Sequence, residues 1–294
     1  LAEDYTIDQS LRFDDGSSQY LHWTPSSEGS QQKFTISVWV RRGNLATGSS
    51  QNIFNPNPGG DGANESQFMF NGSDKLQFYD SGGNRGSLTT TQVFRDVGAW
   101  YHIVIAVDTT EAVASDRINM YINGELVTAF DTEDYPALNA ELGWGRNGSI
   151  NKIGVKAYGS LSQWYDGYLA ELYFIDGTQY AVSDFGETDD DTNQWKPIDA
   201  SGLTFGTNGF YLKFQDSAAF GDDSSGNTND FTVVDVRVQD QMKDSPTNSF
   251  CTLNPVVPAY GTLTFMQGNL EAIKTNSWSG PLGTMGAASG KWYW

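Results

Sequence analysis

The sequence predicts an all-β fold, a jelly-roll sandwich of two antiparallel sheets, on three observations. Short runs of β-branched and aromatic residues alternate with period two, as half-buried strands do. Glycine, at 32 of 294 residues, sits mostly beside Asn, Asp or Ser, and such pairs supply the positive φ angles of tight turns. No stretch of a dozen residues keeps a 3.6-residue period without Gly or Pro interrupting it.

The elements follow in chain order. Residues 34–40 put Phe34, Ile36, Val38 and Val40 on one face and Thr35, Ser37 and Trp39 on the other. Residues 100–107 are apolar on both faces, which predicts a central strand covered on both sides. Asn123-Gly124 separates residues 118–122 from 125–130, the strongest short-range hairpin signal in the chain. Residues 168–175 form a further strand. The polar stretches 43–67, 131–150 and 184–203 read as loops pinned to the sandwich by apolar anchors, among them Ile53, Phe54, Leu138, Leu142, Trp144, Trp195 and Ile198. Near 238–250 the character changes to polar residues and prolines. That break divides a jelly roll over 1–238 from an extension over 239–294, which is too short for a core of its own. Residues 260–266 and 291–294 look like strands within it.

Charge and composition exclude several functions. A formal charge of −19 argues against a phosphate-backbone binder, whose affinity comes from Lys and Arg releasing counterions. The same charge disfavours an anionic membrane surface. The longest apolar run, residues 103–107, is too short to span a bilayer. Apolar residues make up 38%, but 14% are aromatic, and each buried ring removes roughly 150–250 Å² from water, so the chain folds. One cysteine, Cys251, cannot form an internal disulfide, and two histidines with one thiol nearly exclude a zinc cluster. The chain begins with Leu and stops at Trp294 inside an apolar run, so it reads as part of a longer product.

The strands carry a recognisable set of words. Leu11-Arg12-Phe13-Asp14-Asp15-Gly16 leads into Tyr20-Leu21, and Trp100-Tyr101-His102 precedes Val107-Asp108. Tyr121-Ile122-Asn123-Gly124, Asp166-Gly167-Tyr168-Leu169-Ala170-Glu171 and Phe174-Ile175-Asp176-Gly177 follow in order. Together these resemble the laminin G-like, concanavalin A-like lectin/glucanase jelly roll, in the version found in structural proteins of tailed bacteriophages. The resemblance continues through Gly209-Phe210-Tyr211-Leu212, Asp223-Ser224-Ser225-Gly226-Asn227, Asp244-Ser245-Pro246-Thr247-Asn248 and Cys251-Thr252-Leu253-Asn254-Pro255. Gly290-Lys291-Trp292-Tyr293-Trp294 resembles the opening strand of a SPRY-type sandwich. The resemblance implies a non-enzymatic virion protein of tail-fibre or appendage type, made in the bacterial host cytoplasm. Its implied partners are other virion proteins, further copies of itself (a trimer, for example) and a host-surface glycan, with no nucleic acid and no membrane insertion. The alternative is a capsid or tail decoration protein acting only through protein contacts; a glycan-degrading enzyme ranks third.

Site candidates follow from chemistry. Calcium takes six to eight oxygens, and the densest oxygen-rich loop is 221–230, with Asp222, Asp223, Asn227 and Asp230 as ligands. The competing reading is a solvated turn whose Asp and Asn side chains cap their own backbone. Asp14, Asp15 and Asp166 stand second, and Asp189-Asp190-Asp191 reads as a solvated charge run. Sugars stack on aromatic rings beside polar loops, which selects Trp144, Tyr158, Trp164, Tyr165 and Trp195; the competing reading is that these rings anchor loops or lie at subunit contacts. Trp144 stands out because its flanking glycines would expose the ring. The sequons at Asn64, Asn71 and Asn147 read as loop chemistry. No catalytic residue is assigned. The nearest carboxylates, Glu171 and Asp176, fall on opposite faces of a regular strand, His102 lies inside an apolar strand, and no nucleophile elbow or phosphate loop is present.

Overall fold

The computed structural model describes residues 4–45, 48–57, 65–81, 86–156, 158–256, 263–274, 280–286 and 289–290. The strands, in chain order, are β1 (Ser10–Phe13), β2 (Tyr20–Trp23), β3 (Lys33–Arg42), β4 (Gln51–Asn57), β5 (Ser66–Phe70), β6 (Lys75–Asp80) and β7 (Ser87–Val93). They continue with β8 (Tyr101–Asp108), β9 (Ile118–Ile122), β10 (Glu125–Leu126), β11 (Phe130–Asp134), β12 (Ile150–Ile153) and β13 (Gly167–Asp176). The last are β14 (Gly186–Thr188), β15 (Trp195–Pro197), β16 (Phe210–Leu212), β17 (Thr232–Val234), β18 (Gln241–Met242), β19 (Thr264–Met266) and β20 (Glu271–Ile273).

Two eight-stranded antiparallel sheets form the sandwich. The first runs β10-β9-β8-β3-β13-β1-β18, with β16 also paired to β13; the second runs β11-β7-β6-β5-β4-β12-β2-β17. Because β3 holds one side of β13 throughout, β1 and β16 share the other side end to end. Phe34, Ile36, Val38 and Val40 point into the core, as their alternation predicts. Central β8 is buried on both faces, again as predicted. Three expectations change. The stretches 43–67, 131–150 and 184–203 are not loops throughout: β4, β11, β14 and β15 fall in them, and β4 is an interior strand of the second sheet with Ile53 and Phe54 in the core. Thr35, Ser37 and Trp39 are buried rather than wet, because side chains such as Phe185 and Phe205 cover that outer face. The strand after Asn123-Gly124 stops at Leu126, and the chain crosses so that Phe130 pairs with Thr90 in the second sheet. Val127 and Phe130 pack on the core at that crossing, which draws the chain inward.

Past residue 238 the chain stays tied to the sandwich. Strand β18 adds to β1. Buried Arg12 pairs with Asp240 at 2.5 Å. Buried Arg41 pairs with Asp244 and donates to the Phe250 carbonyl at 3.0 Å and to Thr252 Oγ1 at 2.8 Å. Such guanidiniums are tolerated inside only because every charge meets a partner. Of the two strands expected in the extension, Thr264–Met266 is one half of a hairpin with β20. Residues 260–262 and 291–294 lie outside the described residues.

Candidate functional site

The site is assembled by a strand pairing that joins distant parts of the chain. Phe13 pairs with Gly167, so Asp14 and Asp166, one residue beyond each, come side by side. Asp14 caps the short 3-10 turn Asp15–Ser17, accepting from Gly16 N at 3.2 Å and from Ser17 Oγ at 2.6 Å, and this holds Asp15 in place. One carboxylate oxygen from each of Asp14, Asp15 and Asp166 lies within 4.8 Å of the others. Asp14 and Asp166 are buried and Asp15 is exposed. Gly43 makes room: a Cβ there would sit 1.8 Å from Asp166 Oδ1. Burial, then the neighbouring Asp15 carboxylate, push Asp166 up to about 7, although Asn44 N donates to its Oδ1 at 2.9 Å. Oxygens bound to one calcium at 2.3–2.6 Å lie within about 5 Å of one another, so this donor set fits a hard divalent cation.

Beside the trio opens a pocket of ≈ 270 Å³ lined by Asp15, Asn44, Ser49, Ser50, Gln163 and Trp164, among others. Its polar floor is fixed. Asn44 Nδ2 donates to Asp15 Oδ2 at 2.9 Å, and Gln51 Nε2 donates to Asn44 Oδ1. Buried Arg42 in turn donates to Gln51 Oε1 at 3.0 Å and pairs with Asp74 at 2.9 Å. Gln163 accepts at Oε1 from Asn52 Nδ2 at 2.7 Å. The indole of Trp164 is half-buried, with Tyr20 at 6.1 Å between ring centres. A partly open ring beside two anchored amides and two serines, next to oxygen ligands, is what this corner offers chemically.

A family model described as the concanavalin A-like lectin/glucanases superfamily matches residues 15–181, more than half of the chain. The chain belongs to the concanavalin A-like lectin/glucanase superfamily. No curated protein matches it. Among solved structures it is similar to a Bacteroides ovatus protein whose given name proposes carbohydrate binding. That match has 15% identity and a TM-score of 0.50, and covers 78% of this chain and 60% of that one. A SAP-like pentraxin of Limulus polyphemus matches at 14% identity and a TM-score of 0.44, covering 59% of this chain and 78% of that one. The CBM40 of a Ruminococcus gnavus IT-sialidase, solved with sialyllactose, matches at 12% identity and a TM-score of 0.38, covering 56% and 89%. At 15% identity the Bacteroides ovatus match speaks for the fold alone.

Within this superfamily fold the aromatic candidates separate. Trp144 is fully buried, stacked on Phe78 at 5.4 Å and on Phe34 at 5.7 Å, so it has no face for a sugar. Its glycine neighbour serves close approach, not exposure: Gly145 has φ +69° and a Cβ there would meet Ser30 O at 2.7 Å. Tyr165 is buried as well, its hydroxyl donating to Arg41 O at 3.0 Å. Trp195 is a clamp. Its ring lies on Gly124 and Gly186, and its Nε1 donates to His102 Nδ1 at 2.9 Å. Trp164 and Tyr158 remain open; Tyr158 is 39% exposed with Lys156 Nζ 5.6 Å from its ring centre.

The 221–230 loop does not converge on a cation. Asp223 Oδ1 accepts from Tyr211 N at 2.8 Å and Ser225 N at 2.9 Å, and its Oδ2 from Ser225 Oγ at 2.7 Å and Asn229 N at 3.0 Å. Asp230 Oδ1 accepts from Asp223 N at 2.9 Å, while Asn227 Nδ2 donates to the carbonyls of Gly206 and Gly209. Asp222 is exposed. The side chains bond the loop's own backbone and that of the neighbouring residues 206–211, and among the described residues it is the second-ranked trio that converges. Asp189 likewise caps its turn, accepting from Thr192 N at 2.8 Å.

Glycosidases on this fold need two carboxylates flanking one bond, and the pair nearest in sequence faces elsewhere. Glu171 is buried under Tyr5, Tyr173 and Tyr211, whereas Asp176 accepts from Ser30 N at 2.6 Å and Asn208 N at 2.9 Å. A Ser–His contact does exist, Ser37 Oγ to His102 Nε2 at 2.9 Å, but with the wrong tautomer. Trp195 donates to Nδ1, so the neutral ring carries its proton on Nε2 and donates to Ser37 instead of accepting from it. Complete burial holds this imidazole down to about 3, which keeps it neutral.

Proposed function

We propose that this protein is a non-catalytic glycan-binding module whose sugar site is the Trp164 pocket, with a calcium ion at Asp14, Asp15 and Asp166 beside it. The observation that carries the reading is that the half-open indole of Trp164 lines one pocket with the anchored side chains of Asn44 and Gln163. A sugar's C–H face would stack on the ring while the amides and Ser49 and Ser50 take hydroxyls, the usual mixture of apolar contact and a few placed polar groups. The calcium would draw its remaining ligands from water, backbone carbonyls or the sugar itself. Superfamily membership supports the reading.

The setting is a virion appendage such as a tail fibre, made in the bacterial cytoplasm and assembled with other virion proteins as a homo-oligomer, a trimer for instance. The order of sequence words described above supports this. One shallow site binds weakly, and several copies held together gain avidity. A glycan array probed with calcium and with chelator tests the reading. Binding that needs calcium and disappears in a folded Trp164→Ala variant is expected; absence of any bound glycan overturns it.

A decoration protein working only through protein contacts is the second reading. Exposed apolar side chains gathered late in the chain, including Phe250, Leu270, Leu282 and Met285, favour it. Electron microscopy of an intact particle separates the two: density at the tail tip supports the first, density on the shell the second.

A further inference from the structure

A second cavity shares a turn of chain with the Trp164 pocket. Within the 3-10 turn Asp15–Ser17, Asp15 lines the Trp164 pocket, and the next two residues, Gly16 and Ser17, line a separate cavity of ≈ 350 Å³. Its other walls come from residues 18–19, from segment 235–240 and from Gln267, so it lies where the jelly roll meets the extension. The buried part of this lining is fixed by bonds already made. Asp240 accepts from Arg12, from Gln19 Nε2 at 2.8 Å and from Arg237 N at 2.7 Å. Gln267 Nε2 donates to Asp14 Oδ2 at 2.8 Å, which ties the cavity to the carboxylate trio.

Three of the lining residues, Ser18, Asp235 and Gln267, hold left-handed backbone, at φ +55°, +57° and +57°. Outside glycine such conformations cost energy, and they gather at ligand clamps. Ser18, Asp235, Arg237 and Gln239 are exposed, and among the described residues their side chains have no hydrogen-bond or ion-pair partner. Arg12 neutralises Asp240, which leaves Arg237 and Asp235, one charge of each sign, beside an amide and a hydroxyl. That set both donates to and accepts from hydroxyl groups and carries no net charge. It suits a neutral polyol and gives an anion no advantage. Gly16 fits the same picture. Its φ is not left-handed, and beyond its chain neighbours a Cβ there would come no closer than 3.5 Å to another atom. Neither backbone nor packing demands a glycine, and its bare, exposed surface leaves the way between the two cavities open.

We propose that this cavity is a second sugar subsite, and that the ligand is a neutral oligosaccharide running from the Trp164 pocket across Gly16 to Arg237. The subsite rests on the Trp164 reading, to which it adds the length and charge of the glycan. Consecutive Cα atoms are about 3.8 Å apart, so the step from Asp15 to Gly16 is a narrow divide. The Trp164 pocket alone, at ≈ 270 Å³, falls just below the range of roughly 300–1,000 Å³ usual for small-molecule sites, and the two cavities together lie inside it. One end of the oligosaccharide stacks on the indole. The other exchanges hydrogen bonds with Arg237, Asp235 and Gln239.

Calorimetry in calcium buffer tests this, with disaccharides and hexasaccharides of the glucose, galactose, mannose and xylose series as probes. In one series or more the hexasaccharide should bind about tenfold tighter than the disaccharide, since the second cavity adds a few net hydrogen bonds. That gain should vanish in Arg237→Ala and in Gly16→Leu, while the disaccharide binds both variants as it binds the parent. Neither change disturbs the fold, because Arg237 is exposed and position 16 has room for a Cβ. Equal affinity for the two lengths, a gain that survives either variant, or no neutral sugar bound at all overturns the inference. In the first two cases the Trp164 reading stands if Trp164→Ala abolishes disaccharide binding; in the third it stands or falls on the glycan array. Disaccharide binding unchanged in Trp164→Ala overturns that reading and the second subsite with it.

Discussion

Two acidic regions of this molecule contrast in what their oxygens do. The 221–230 loop is rich in Asp, Asn and Ser within a few residues, yet Asp223 turns both carboxylate oxygens onto its own neighbourhood. Asp14 and Asp15, just past β1, and Asp166, just ahead of β13, bring carboxylate oxygens together across a strand pair, although Asp14 also caps its own turn and accepts from Gln267 Nε2 at 2.8 Å. Local density favours self-capping, since short polar side chains reach the nearest N–H first. Convergence needs strands to bring carboxylates together while the intervening backbone is already paired. A candidate ligand set is therefore better judged by whether the fold brings its oxygens together than by how many one loop contains.

The largest effect that would sharpen this contrast is at Asp166. Its folded value of about 7 lies above the ordinary 3.8, so the charged form is the disfavoured one in the fold. Stability should fall as pH rises from about 4 to 7 and stay low above that. Asp166→Asn removes the dependence and should be more stable at pH 8, by on the order of 4 kcal/mol, in denaturant titrations at both ends of the window. Next comes Asp223→Ala, which leaves the amides of Tyr211, Ser225 and Asn229 without their acceptor and should cost about 3 kcal/mol, equally in calcium and in chelator. A loss of calcium response in that variant would reverse the assignment of the two regions.

Calcium at a hundred times its dissociation constant should stabilise the chain by about 2.7 kcal/mol. A thermal melt should show this in the parent chain and in Asp223→Ala but not in Asp166→Asn. Identical melts with and without chelator break the comparison. The smallest effect is on stability in Trp164→Ala, within about 0.5 kcal/mol because the ring is half open; the same variant should lose glycan retention on an affinity column.

What was legible in the sequence was local. Period-two runs and the Asn123-Gly124 turn announce strands and a hairpin because both are properties of adjacent residues. The burial of Trp144 was not legible: glycines beside a ring read as exposure, but Gly145 lets the loop close against Ser30 and drives the ring inward. Asp14 and Asp166 are each visible at the end of a strand word, yet their meeting depends on the register of β1 on β13. Asn44 and Gln163 carry no signal of their own, since an amide in a loop looks the same whether it lines a pocket or faces solvent. The fold class was thus readable from short-range pattern, whereas the site required long-range pairing.

Arg12 and Arg41 bear on how this protein can be divided. Their carboxylate partners, Asp240 and Asp244, lie just past the change in composition near residue 238. A fragment ended at that tempting point would strand two guanidiniums in the interior, each at a cost of several kcal/mol. Anyone trimming the gene for expression should cut no earlier than Gln267, whose carbonyl accepts the last of those bonds from Arg12 at 3.5 Å.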